Sequence, residues 1–245
     1  MLFWFLDFNS IQPEQYASLY SISIIFISSL YIIFGFTLKY LQLKVLEKKT
    51  TYVTANIVKG LVLMTLFFDS FESLYTRIFH FQLGTRSLIN YHRDVVAGAL
   101  YASTDTVSIF LERRKSWATT FHHIGVVLGY ILLMYLEPLH PICEHLLAFG
   151  NMGILTSIVN FYLGLRFLVP QKNTVIIDIL RQVAFVMYSF FWSTNLLVQI
   201  ALVLNSIYHH YWVSLSIVPL LVVFIYDDVL LIKFLSKHNQ NLQKH

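Results

Sequence analysis

The sequence predicts an all-α membrane protein with seven transmembrane helices, of which helices two to seven form a polar-centred bundle. Three observations predict it. Of 245 residues, 57% are hydrophobic and 12% charged, about half the charged fraction of a soluble domain. The apolar residues gather into seven runs, most of them able to supply the roughly 20 residues that one bilayer crossing takes. The basic residues gather in short connections between those runs, as the positive-inside rule expects. That placement accounts for the net charge of +4 and makes nucleic acid a poor partner.

The runs lie at 16–39, 52–79, 95–110, 119–136, 142–169, 175–204 and 211–234. The third is short and is interrupted by Asp105. No low-complexity linker, soluble domain or internal repeat is visible. Residues 1–50 hold the N-terminal stretch, the first helix and a loop, residues 51–235 one six-helix membrane domain, and residues 236–245 a tail. The opening Met1-Leu2-Phe3-Trp4 lacks the basic region of a cleavable signal, so the first helix is expected to remain as the insertion signal. The single cysteine, Cys143, excludes an internal disulfide and a Cys-based zinc site and reads as a small buried apolar residue.

Orientation follows from the connections. Lys39, Lys44, Lys48 and Lys49 follow the first run, Arg113, Arg114 and Lys115 the third, and Arg166 and Lys172 the fifth; Lys233 and Lys237 end the seventh. The alternate connections, Glu137 to Pro141 and Tyr208 to His210, are acidic or neutral, and Asp7 and Glu14 precede the first run. The rule then places the N-terminus in the lumen and the C-terminus in the cytosol. Arg77, Arg86 and Arg93 dissent. An odd number of spans satisfies the other connections.

With that orientation, ionisable and amide residues of helices two to seven share one depth. Lys59, Asp105, His122, His123, Asn160, Arg181, Asp227 and Asp228 fall roughly 5–13 Å from the cytosolic face at 1.5 Å rise per residue. Helix one contributes nothing ionisable to this layer. Tyr101, Asp105, Ser108 and Glu112 share a stripe on helix three. Gly153, Ser157, Asn160 and Gly164 share one on helix five, where small residues permit close helix contact. Adjacent histidines on a helix point about 100° apart, so one aims at the centre and the other at helix three or five.

Such residues can simply hydrogen-bond one another and fix helix register, at about 0.6 kcal/mol per bond. Six helices contributing at one level favour a functional cavity instead, because intramembrane charge is costly and faces bundle interiors. A neutral imidazole serves as general base or as an acyl-accepting nucleophile, and a carboxylate on its other nitrogen fixes the tautomer. A site near the cytosolic face suits a soluble activated donor such as acyl-CoA and a membrane-borne acceptor. Lys59 and Arg181 are candidates for its phosphates, and Tyr101, Asn160, Asp227 and Asp228 for further substrate contacts. No bound cofactor is expected, and no metal either: His122, His123 and Asp105 include ordinary zinc ligands, but adjacent histidines diverge. Asp69 and Glu72 lie toward the lumen as answers to Arg77 or Arg93, and His209 and His210 read as solvated. The lack of inverted repeats and broken helices argues against a transporter.

The stretch Tyr101-Ala102-Ser103-Thr104-Asp105, a basic turn and Phe121-His122-His123-Ile124 resembles the TLC domain family. Thr156 to Asn160 is similar to that family's Ser-Thr-Pro-Phe-x-Asn segment, with Ser157 where proline is usual, and Tyr52 to Lys59 to its opening, with Lys59 near a position often held by histidine. The likeness covers roughly residues 50 to 235. It implies a multi-pass endomembrane protein, of the endoplasmic reticulum or a related membrane, with a six-helix barrel around a lipid-accessible chamber. Ceramide synthases of the family move an acyl group from CoA to a sphingoid amine with paired histidines. Downstream of His123 this chain lacks their acidic His-Asp-x-x-Asp pattern and is nearer the small TLC-domain branch. The expected function is lipid metabolism by CoA-dependent acyl transfer, with His122, His123 and Asp105 catalytic. The alternative is a non-enzymatic lipid-binding regulator of membrane composition or a cargo receptor. Oligomeric state is open.

Overall fold

The structure, a computed structural model, describes residues 13–40, 49–79, 88–111, 116–137, 140–168 and 174–237. These form eight α-helices: α1 (Pro13–Tyr40), α2 (Thr50–Phe79), α3 (Leu88–Leu111), α4 (Trp117–Tyr135), α5 (Pro141–Leu155), α6 (Ser157–Leu165), α7 (Thr174–Tyr208) and α8 (Val218–Ser236), with a 3-10 turn at Trp212–Ile217. Among the described residues there is no strand. The loop charges Lys44, Lys48, Arg86, Arg113, Arg114, Lys115 and Lys172, and Glu112 of the expected helix-three stripe, lie outside the described residues.

Local chemistry sets several ends. The Ser116 hydroxyl accepts from the backbone N–H of Thr119 at 3.1 Å and starts α4. The His140 ring accepts from the N–H of Ile142, with Pro141 at the first helical position of α5. The expected fifth span is broken: α5 and α6 meet at Thr156 with a 41° bend. There the Thr156 hydroxyl donates to the Gly153 carbonyl at 2.7 Å, one of the recognised causes of a sharp kink. The expectation of unbroken helices is therefore corrected.

Among the described residues, five helical segments are long and apolar enough to cross a membrane, Glu14–Tyr40, Thr50–Ser73, Trp117–Tyr135, Val175–Tyr208 and Trp212–Ser236. The bent α5–α6 pair makes six if it counts as one span. The remaining expected span, the third at 95–110, lies inside α3, which is not among them. The reason is where α3 sits. It packs against α1, α2, α4 and α5, and Ser103, Thr104, Asp105 and Ser108 are all buried along it. A helix covered on several sides can carry polar groups that a lipid-facing helix cannot.

Around α3 the neighbours follow one another: α2 packs on α3, α3 on α4, α4 on α8, α8 on α7, α7 on α5 and α6, and those two on α2. Helix α1 lies against α2 and α3 and presents Ile22, Ile25, Phe26, Ile32, Ile33 and Phe36 outward. Large apolar side chains are likewise exposed along α7 and α8 while Asp94, Asp105 and Asp228 are buried, the distribution expected when the surroundings are hydrocarbon. Polar clasps join the interior. Ser73 on α2 donates to Asp94 on α3 at 3.1 Å, and Asn151 on α5 donates to Ser73 at 3.1 Å. His145 and Gln199 link α5 to α7 at 2.7 Å.

Helices α2 and α6 pack closely. A Cβ on Gly164 would lie 2.7 Å from Ile57 Cγ1 and 3.4 Å from the Val53 carbonyl oxygen. Gly164→Val is expected to lower stability by about 1–3 kcal/mol, the usual range for overpacking. Thermal unfolding in detergent checks it, and an unchanged midpoint would mean the helices are not held this closely.

Candidate site: a histidine–carboxylate cluster on a cavity wall

Asp105 is fully buried on α3, and one of its oxygens, Oδ1, holds two partners. Lys59 of α2 donates its ammonium to Oδ1, and His123 Nδ1 of α4 lies 2.7 Å from the same atom. The other oxygen, Oδ2, is buried with no hydrogen-bond partner. The Lys59 Nζ also lies 5.1 Å from the centre of the Tyr101 ring. Three helices are thus tied through one carboxylate.

The divergence of adjacent helical residues sends His122 elsewhere. Its Nδ1 lies 3.3 Å from Asp227 Oδ2 on α8, and the Thr119 hydroxyl donates to Asp227 Oδ1 at 3.0 Å. The two imidazoles sit 5.8 Å apart, their planes at 74°, each on its own carboxylate. The expectation that one histidine meets helix three is met by His123. Beside His122, the Phe149 and Phe224 rings stack at 4.0 Å, and Phe224 lies edge-on to the imidazole at 5.0 Å. Asp228 accepts from the Tyr188 hydroxyl at 2.5 Å.

Both histidines line a cavity of about 530 Å³ to which α2 through α8 all contribute. Lys59, Tyr101, Asn160, Asp227 and Asp228, all expected site residues, line it as well. Asp105 stands behind Lys59 and His123 and is not part of the lining. The cavity follows helical stripes: Tyr52, Asn56 and Lys59 along α2, and Tyr188, Phe191, Trp192 and Asn195 along α7. The kink exposes Gly153 and Thr156 to it, and Gly153 is needed there, since a Cβ would lie 2.7 Å from the Tyr101 oxygen.

Two expected roles are corrected. Arg181 does not line the cavity; it donates to the Leu235 carbonyl at 2.7 Å and lies 3.7 Å from Asp178. It caps the end of α8, as basic side chains do at helix C-termini. Lys59 does line the cavity, but its charge is taken by Asp105 rather than left for a phosphate. Glu72 does answer Arg93, at 3.0 Å. Among the described residues no group of three His, Cys, Asp or Glu is placed to hold a metal ion.

Asn56, Tyr188, Trp192 and Asn195, unmarked in the sequence as site residues, also line the wall, as does Arg166, which the sequence shows only as a loop charge. The α7 set had a usable signal, its spacing of three, four and seven residues on one face.

The chain matches no protein-family model, no curated protein and no solved structure.

Chemically, a carboxylate on one imidazole nitrogen leaves the other free to accept a proton. The ammonium of Lys59 on the same oxygen offsets the charge of the buried acid. Removing one member of a buried ion pair strands the other at about 3–5 kcal/mol. Asp105→Asn alone is accordingly expected to destabilise strongly, and Asp105→Asn with Lys59→Met much less than the sum. A double-mutant cycle of thermal unfolding reads this coupling. Additive effects would mean that the two side chains do not meet.

Proposed function

We propose that this chain is a multi-pass lipid-metabolising membrane protein with a TLC-like domain over residues 51–235, and that it transfers acyl groups from acyl-CoA to a lipid amine or hydroxyl. In this reading α3 also crosses the membrane, as the third of seven spans. Helices α2, α3, α4, the α5–α6 pair, α7 and α8 form a six-helix barrel, with α1 outside it. The ring of neighbour contacts around the cavity supports that arrangement. The N-terminus is luminal, the C-terminus cytosolic, and the membrane is that of the endoplasmic reticulum or a related compartment.

The observation that carries the reading is His123, on the wall of a cavity, with its Nδ1 2.7 Å from an oxygen of the buried Asp105 behind it. His123 takes the proton from the acceptor amine or hydroxyl as that atom attacks the thioester carbonyl. The carbon–sulfur bond breaks, and the imidazolium returns the proton to the leaving CoA thiolate. Asp105 supports the transient imidazolium and fixes the ring. His122, turned toward Asp227, contacts the reacting groups from the other side.

Purified protein supplied with labelled acyl-CoA and mixed lipid acceptors is expected to yield acylated lipid. His123→Ala is expected to lower turnover by about 10²–10⁴-fold, the usual weight of a general base, and His122→Ala by less. No turnover by the wild-type protein, with no histidine-dependent acyl adduct by mass spectrometry, removes the enzymatic reading. The non-enzymatic alternative, a lipid-binding regulator or cargo receptor, then predicts a co-purifying lipid that His122→Ala retains while Asn160 is intact.

A further inference from the structure

Arg166, at the C-terminal end of α6, is enclosed by aromatic rings. Its guanidinium carbon lies 4.6 Å from the ring centre of Phe167, 4.8 Å from Phe234, 5.7 Å from Tyr52 and 5.8 Å from Tyr162. Nη2 donates to the Tyr52 hydroxyl at 3.3 Å, and Nε is buried with no partner. Among the described residues no carboxylate pairs with it, unlike Lys59, Arg93 and Arg181. Lys49 brings a second cation to the same place, its ammonium 4.2 Å from the centre of the Phe167 ring.

An arginine near a membrane surface ordinarily turns outward to water or headgroups. This one lines the cavity together with Tyr52 and Phe234. Aromatic faces hold a guanidinium in place and stabilise its charge without using its N–H donors, of which, among the described residues, only Nη2 has a partner, the Tyr52 hydroxyl. Five such donors in a planar fork match a phosphate.

We propose that Arg166, aided by Lys49, is the phosphate-binding station of the cavity, the role that Lys59 and Arg181 cannot fill. Along α2, the seven residues from Tyr52 to Lys59 cover about 10 Å, so a ligand with its phosphate at Arg166 extends from there toward Lys59 and His123. The phosphate belongs either to a soluble donor such as CoA or to a lipid headgroup. Neither source needs acyl transfer, so the inference stands apart from the catalytic reading.

The full chain in phosphatidylcholine nanodiscs tests it, with CoA added in one arm and phosphatidic acid incorporated in the other. Binding of one or both is expected, falling about 10- to 100-fold in Arg166→Gln, the weight of hydrogen bonds to a charged group. The arm that responds identifies the source. A second measurement needs no variant: CoA or phosphatidic acid raises the melting temperature of the wild-type protein, while pantetheine and diacylglycerol do not. Binding of neither phosphate ligand, equal affinity in a folded Arg166→Gln, or equal stabilisation by the phosphate-free analogues overturns the proposal.

Discussion

A carboxylate buried among membrane helices has to be paired, and the pairing of Asp105 organises this molecule. Its Oδ1 takes both Lys59 from α2 and His123 from α4. An isolated charge in such surroundings costs several kcal/mol or more, so these helices are held in the register that keeps the three groups together. The same constraint explains why α3 lies where it does. A helix carrying Asp94 and Asp105 as well as Ser and Thr side chains belongs inside the bundle, where α1 covers one side. The outer helices then carry the hydrocarbon-facing surface.

The second consequence is the cavity. Small residues bring some helices very close, as at Gly164 against α2 and Gly153 against Tyr101. The kink at Thr156 turns α6 away from the line of α5, and Thr156 itself faces the space. Close packing in one region and a bend in another leave a chamber whose wall is both polar and aromatic. The two imidazoles reach it from adjacent positions yet lean on different helices, so changing one carboxylate leaves the other histidine supported.

Much of this was legible in the chain. The apolar runs mark α1, α2, α4 and α7 to within about four residues, because hydrocarbon-facing segments must be long and apolar, whereas α3 begins seven residues before its run and α8 seven residues after the start of its own. Rise per residue alone groups Lys59, Asp105, His122, His123, Asn160, Asp227 and Asp228, and these residues gather at one site. The failures have physical causes too. Rise per residue groups Arg181 with these residues, but position along a helix does not fix direction around its axis, and Arg181 turns to the end of α8. Lys59 was read as free because its partner comes from another helix. The break at Thr156 was hidden since no proline marks it; a threonine side chain competing for a helix carbonyl leaves little trace in a hydropathy profile. Arg166 looks like a loop charge in the sequence because nothing local shows that four rings enclose it.

The most direct check of the central claim is an experimental density map of the chain in lipid nanodiscs. The account predicts Lys59 and His123 both within hydrogen-bonding distance of the Asp105 carboxylate, with an open, non-hydrocarbon-filled space beside the two histidines. A map with Asp105 turned away from His123, or with packed apolar side chains filling that space, would contradict it.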